Sequence, residues 1–229
     1  MDIDIWSDIA CPWCYIGKRR LEAALESFEH RDEVQVRWHS FELDPGAPGE
    51  REGDNATNLA HKYGTTREKA LAGLANMTET AAADGLEFHF ERARSGNTLD
   101  AHRLTHLALS LGCQDAMKER LMRAYLTEGE LISDHTTLRR LALEVGLPEG
   151  QIDELLAGER YADEVRADEY TAHRLGITAV PFFVVDRSVG AAGAQSPEYL
   201  LAMLRHTWEA REPIGVPAGS GESCAIDGA

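Results

Sequence analysis

Two cysteines separated by two residues, Cys11-Pro12-Trp13-Cys14, stand where a strand pattern hands over to a helix pattern. Ahead of them, Asp2-Ile3-Asp4-Ile5-Trp6 alternates polar and apolar residues with the period of two expected of a strand. Behind them, Leu21, Leu25 and Phe28 recur at helical spacing, and a second strand pattern, Val34 to Trp38, follows. A strand, helix, strand unit of this kind makes a parallel pair with a right-handed crossover. A Cys-x-x-Cys at its first turn reads as a redox pair.

The position of each cysteine assigns its role. Pro12 suits the first position of a helix, because its missing N–H would be unpaired there and its φ is already helical. Cys11 is then the N-cap, with its sulfur facing the unpaired N–H groups and the positive end of the helix dipole, so it is the attacking thiol. Cys14, one turn in and better shielded, is the resolving thiol. Pro12 and Trp13, lying between them, help to set the reduction potential. Asp8 reads as a turn or capping residue.

The remaining composition narrows the function classes. The chain has 229 residues and a formal charge of −16, which argues against nucleic acid or an anionic membrane as partner, since both require a basic surface. The first residues carry two aspartates and no basic cluster, so no secretory signal and a cytoplasmic setting are expected. In a reducing compartment, four cysteines of which only two are close together suggest catalysis rather than a disulfide scaffold. No second Cys-x-x-Cys accompanies the first, so a structural zinc is not expected. His102 and His106 share a helix face four residues apart, but the glutamate of a metal-binding helix motif is missing, and the metal reading is set aside.

Read in order, residues 1–54 form the first unit and end in a Pro-, Gly- and charge-rich stretch from Pro45 to Asp54. Residues 55–160 read as helical. Thr66 opens a run through Ala83, with Leu71, Leu74, Ala75 and Met77 as its apolar face. Further helices are expected over Thr98 to Leu111, Gln114 to Thr127, Thr136 to Val145 and Glu149 to Leu156, and a last one over Arg160 to Leu175. In residues 161–212 the period changes. Ile177 to Asp186 is a β-rich run interrupted by Pro181, Val189 to Ala192 completes a hairpin, and a terminal helix begins at Ser196-Pro197 with Leu200, Leu201, Leu204 and Trp208 inward. Residues 213–229 are Pro-, Gly- and Ser-rich and are expected to be disordered. The order βαβ, helical block, ββα is that of an α/β thioredoxin fold carrying a large all-helical insertion.

The chain resembles the DsbA-like thiol oxidoreductases, specifically the cytoplasmic FrnE-type branch. The resemblance spans nearly the whole chain and rests on Ser7-Asp8-Ile9-Ala10-Cys11-Pro12-Trp13-Cys14, Phe41-Glu42-Leu43, Asn97 to Arg103, Val180-Pro181-Phe182-Phe183 and Gly193-Ala194-Gln195. It implies that Cys11 is the nucleophile and Cys14 its resolving partner. It also implies that Pro181 follows a cis peptide bond opposite the active-site disulfide, with Val180 offering its backbone to substrate. Asn97 and His102, in a family-like segment, are candidates for the substrate cleft. Cys224, in the tail, is a candidate accessory thiol, and Cys113 reads as a small buried or half-buried side chain.

Three function classes follow. The first is a thiol–disulfide oxidoreductase working through a Cys11–Cys14 dithiol and a mixed disulfide on protein or small thiol substrates. It needs no cofactor beyond the redox-active disulfide, with glutathione as a candidate co-substrate and a reductant or oxidant to recycle it. The second is a glutathione-dependent isomerase or transferase of the same fold. Those relatives typically bear serine at the position of Cys11 and lack Cys14, so the pair argues against it. The third is a client-binding chaperone module, whose activity would survive loss of both cysteines.

Overall fold

The computed structural model describes residues 1–211. Four strands, β1 (Asp2–Ser7), β2 (Gln35–Ser40), β3 (Phe182–Val185) and β4 (Val189–Ala192), form one sheet in the order β2-β1-β3-β4. β1 runs parallel to β2 and antiparallel to β3, while β3 and β4 make an antiparallel hairpin. Ile5 stands at the centre, opposite Trp38 on one side and Phe183 on the other. The strand expected over Ile177 to Asp186 is shorter than its composition suggests. Residues up to Pro181 are loop, because proline has no N–H for a ladder and pairing begins only after it.

Helices α1 (Pro12–Glu26) and α9 (Pro197–Glu209) pack together against the sheet. Leu21, Ala24, Leu200 and Leu204 there meet Ile3, Ile5, Phe183 and Val185 in a core that excludes water. Leu201 and Trp208, expected inward, are only half-buried at its rim. The other helices are α2 (Asn55–Lys62), α3 (Arg67–Ala83), α4 (Leu99–Ser110), α5 (Gln114–Arg123), α6 (His135–Glu144), α7 (Glu149–Ala157) and α8 (Ala162–Arg174); α5 and α8 pack against β2, and α4 packs on both of them. Their starts follow the sequence: Asp54, Thr66, Asp134 and Ser196 each accept the N–H three residues on, at 2.7, 3.3, 2.8 and 3.3 Å. The α-helix expected to run to Thr127 ends at Arg123 and passes through a π-turn over Ala124–Glu128 before Gly129, whose φ is 75°.

The α3 face differs from expectation at Leu71, which is exposed. This helix pairs with α2 around Ala56, Ala60 and Ala70, and reaches the main core only through Ala81 and the half-buried Met77. No helix among the described residues is long and apolar enough to cross a membrane. Cys224 and the tail expected to be disordered lie outside the described residues.

The outer edge of β2 is closed by side chains rather than by a fifth strand. Gln114 of α5 accepts the Trp38 N–H at 3.0 Å and donates to the Trp38 carbonyl oxygen at 2.8 Å. Asp168 of α8 accepts the Ser40 N–H at 2.8 Å, and Glu169 accepts the Glu42 N–H at 3.1 Å. Asp168 also holds His39 at 2.6 Å and His106 at 3.1 Å, and His39 reaches Asp4 at 2.8 Å with its other nitrogen.

Candidate active site

Cys11 is the N-cap of α1, with extended backbone (φ −89°, ψ 113°), no side-chain cap bond, and Pro12 directly behind it. That position sets Cys11 at the positive end of the α1 dipole. Cys14 is fully enclosed and Cys11 nearly so, at 0% and 4% exposure. Trp13, by contrast, projects outward with 41% of its surface exposed. Burial, followed by the neighbouring Cys11, pushes the Cys14 thiol well above the ordinary range.

The Val180-Pro181 peptide bond is cis, and the Cys11 S–H donates to the Val180 carbonyl oxygen at 3.7 Å. Gly17, one turn beyond Cys14, lets α1 approach this loop, because a Cβ there would come within 2.9 Å of Pro181 Cγ. Among the described residues, the Val180 N–H has no hydrogen-bond partner.

In front of Cys11 opens a cavity of about 800 Å³, bounded by Cys11 to Trp13 on one side and by α2 and α3 on the other. Its wall mixes apolar groups such as Leu59 and Met77 with the basic Arg51, His61, Lys62 and Lys69. Arg51 is paired with Asp44 of the same wall, which leaves Lys62 and Lys69 as the lysines lining the cavity that Cys11 opens into.

Behind the cysteines lies a buried polar group. Asp8 accepts the Leu43 N–H at 2.8 Å, the Ala10 N–H at 3.4 Å and the His102 Nε2–H at 3.2 Å. Burial raises its carboxyl, but the bonds from His102 and Leu43 outweigh this and hold it below the usual range. Burial likewise keeps His102 neutral by lowering its value, and leaves its Nδ1 without a partner. Lys118 of α5, 1% exposed, donates to the Ser7 carbonyl oxygen at 3.2 Å, and burial pushes its ammonium down to about 8.

Of the residues singled out in the sequence, Cys11, Cys14, Pro12, Trp13, Val180 and Pro181 come together here. Asn97 and His102 do not line the cleft. Asn97 is spent locally, donating to the Pro45 and Ala47 carbonyls and accepting the Leu99 N–H. His102 points inward beneath the cysteines to Asp8, so it supports the site from behind. His106 turns to Asp168 and Ser40, away from His102's partner. Cys113 is half-buried at the start of α5. Asp8 proves more than a turn residue, since it ties the cysteine loop to the β2 exit and to α4. Lys118 was not foreseen. Its signal was present, because Lys118, Leu121, Met122 and Tyr125 follow the i, i+3, i+4, i+7 spacing of a buried face.

The model of the family described as DSBA-like thioredoxin domain matches residues 2–205. A crystal structure of a probable DsbA oxidoreductase from Streptomyces coelicolor is 42% identical, superposes with a TM-score of 0.89, and is covered over 100% of both chains. The cytosolic disulfide reductase DsbM of Pseudomonas aeruginosa, solved with GSH, shares the fold at a TM-score of 0.65 and 21% identity, over 91% of this chain and 100% of that one. The uncharacterized protein YwbO of Bacillus subtilis is 28% identical over 195 residues, 83% of this chain and 90% of that protein.

Proposed function

Since the chain belongs to the DSBA-like thioredoxin domain family, we propose that it exchanges thiols and disulfides through Cys11 and Cys14. The observation that carries this reading is the Cys11 sulfur at a helix N-terminus, 3.7 Å from the Val180 carbonyl and open to a large cavity, with Cys14 enclosed behind it. In the reducing direction, the Cys11 thiolate attacks one sulfur of a substrate disulfide. The other substrate sulfur leaves as a thiolate and takes a proton from water. Cys14 then attacks the Cys11 sulfur, the second substrate thiol departs, and the Cys11–Cys14 disulfide remains. The oxidising direction is the reverse.

An extended peptide segment fits the free Val180 N–H beside the mixed disulfide. A small acidic thiol such as glutathione fits the cavity as co-substrate, its carboxylates toward Lys62 and Lys69. The test is Cys14→Ser, which keeps the attacking thiol and removes the resolving one. Mixed with oxidised glutathione, it should hold glutathione on Cys11 as a stable adduct, located by peptide mass spectrometry, whereas the unaltered chain should release it. An adduct confined to Cys113, or none, would overturn the reading.

A further inference from the structure

Among the described residues, Gly17 and Gly73 are the glycines that lie in a helix beyond its first turn. Gly17 has a close neighbour to answer to, since a Cβ there would come within 2.9 Å of Pro181 Cγ. Gly73, in the body of α3, has none. Its backbone is ordinary helix, and an added Cβ would meet nothing within 4 Å. A glycine in a helix interior is destabilising relative to alanine, because it loses more backbone freedom on folding. Helix α3 therefore gives up stability at a position where a side chain could be housed without a clash. What lies in front of Gly73 is the cavity that Cys11 opens into.

Lys69, Gly73 and Met77 follow one another at four-residue spacing, which sets them in a line along one side of α3. All three line the cavity. Met77 packs against the core that holds both cysteines, so it marks the inner end of the line. Lys69 is exposed at the outer end, beside the short α2–α3 connection, and Lys62, the last residue of α2, lines the cavity there too. Neither lysine is in an ion pair among the described residues, whereas Arg51 and Arg67 are each held by an aspartate. From residue 69 to residue 77 a helix rises about 12 Å. An extended peptide arm of two or three residues spans about 7–10 Å. Such an arm fits along the line only if nothing projects from its middle, and the middle is Gly73.

We propose that Gly73 is a specificity-determining residue of the cavity. Its missing side chain leaves passage for one peptidic arm of an anionic disulfide, whose carboxylate end reaches Lys62 and Lys69 while its sulfur meets Cys11. This inference rests on the thiol–disulfide exchange reading above and names the substrate class for it, a disulfide bearing an acidic arm of two or three residues. A side chain at this position would shorten the passage and restrict Cys11 to smaller disulfides. The helical insertion thus selects what the thioredoxin unit reacts with.

The test compares two disulfides on Gly73→Leu and on the parent, each carrying Cys14→Ser so that the adduct stays on Cys11. Oxidised glutathione has the acidic arm, and bis-hydroxyethyl disulfide is short and uncharged. Adduct formation on Cys11 is followed by mass spectrometry after acid quenching. The ratio of the two rates, glutathione over hydroxyethyl disulfide, should fall at least about tenfold in Gly73→Leu, and by less in Gly73→Ala. Thermal unfolding supplies the second readout. Leucine is a far better helix former than glycine, so Tm should rise by about 2–4 °C as the preference falls. An unchanged ratio would overturn the proposal while leaving the exchange reading in place. A lowered Tm would overturn it as well, by showing that the position is packed and not open. If neither disulfide forms an adduct on Cys11 even in the parent, the exchange reading itself fails.

Discussion

Replacing Gly17 with alanine sets two effects of similar size against each other. An added Cβ would lie 2.9 Å from Pro181 Cγ and 3.2 Å from Phe183 Cζ. Neither can retreat easily, because Pro181 is a ring in the loop facing Cys11 and Phe183 is 0% exposed at the sheet centre. Overpacking of this kind costs about 1–3 kcal/mol. Against it, alanine in a helix interior gains ~1 kcal/mol over glycine. The clash should win by roughly 1 kcal/mol, which for a chain of this length lowers Tm by about 2–4 °C.

The functional effect should exceed the loss of stability. The Pro181 ring and the Val180 carbonyl belong to one rigid segment, so a displacement of a few tenths of an ångström moves that carbonyl off the Cys11 sulfur. Glutathione adduct formation on Cys11 should therefore slow in the alanine variant while the folded fraction stays near one. The measurements are a thermal unfolding curve and the rate at which oxidised glutathione forms an adduct on Cys11, followed by mass spectrometry after acid quenching. An alanine variant as stable as the parent, or more so, would show that helix propensity governs this position and that the close approach is not maintained.

Two further predictions concern the β2 edge. His39 is held between Asp4 and Asp168, whose hydrogen bonds outweigh its burial and raise it from 6.5 to about 9. A histidine raised on folding adds stability that is complete below pH 6.5 and lost as pH climbs through about 9, on the order of 3 kcal/mol at most. Across that window the midpoint in urea should drop more, or rise less, with pH in the parent than in His39→Gln. Gln114→Ala leaves the Trp38 N–H and carbonyl without their side-chain partner, and should cost about 2–4 kcal/mol by denaturant unfolding. A cost below ~0.5 kcal/mol would mean that water replaces both bonds.

The central thioredoxin elements were legible because their signals are local. A proline after Cys11 and another after Ser196 mark helix starts that the structure keeps, and the alternation in β1 marks its buried face. Helix α2 went unread because its inward residues are Ala56 and Ala60, which give a weak period, although Asp54 was present as a cap. Leu71 misled for the opposite reason, since a helix held by only a small alanine core leaves a leucine outside. Asn97 and His102 were placed at the cleft by the resemblance alone, and only tertiary packing decides that one pins a loop and the other faces inward. Gln114 and Lys118 show what binary patterning hides. Both fall on the apolar face of α5 with Met117 and Leu121, and a polar residue in such a register carries a task when it is buried.

The side-chain closure of β2 bears on how this chain is assembled and how it can be cut. Trp38, Ser40 and Glu42 present their amides at every second residue, the array that an edge strand offers to any passing chain. Here each amide is met by a group from α5 or α8, more than 70 residues away in sequence. A fragment stripped of the helical block would bare that array and invite strand-to-strand association, so the thioredoxin half is not a free-standing module in this chain. Exchange protection of those three amides should consequently vanish together with that of α5 and α8, as one cooperative opening of the molecule.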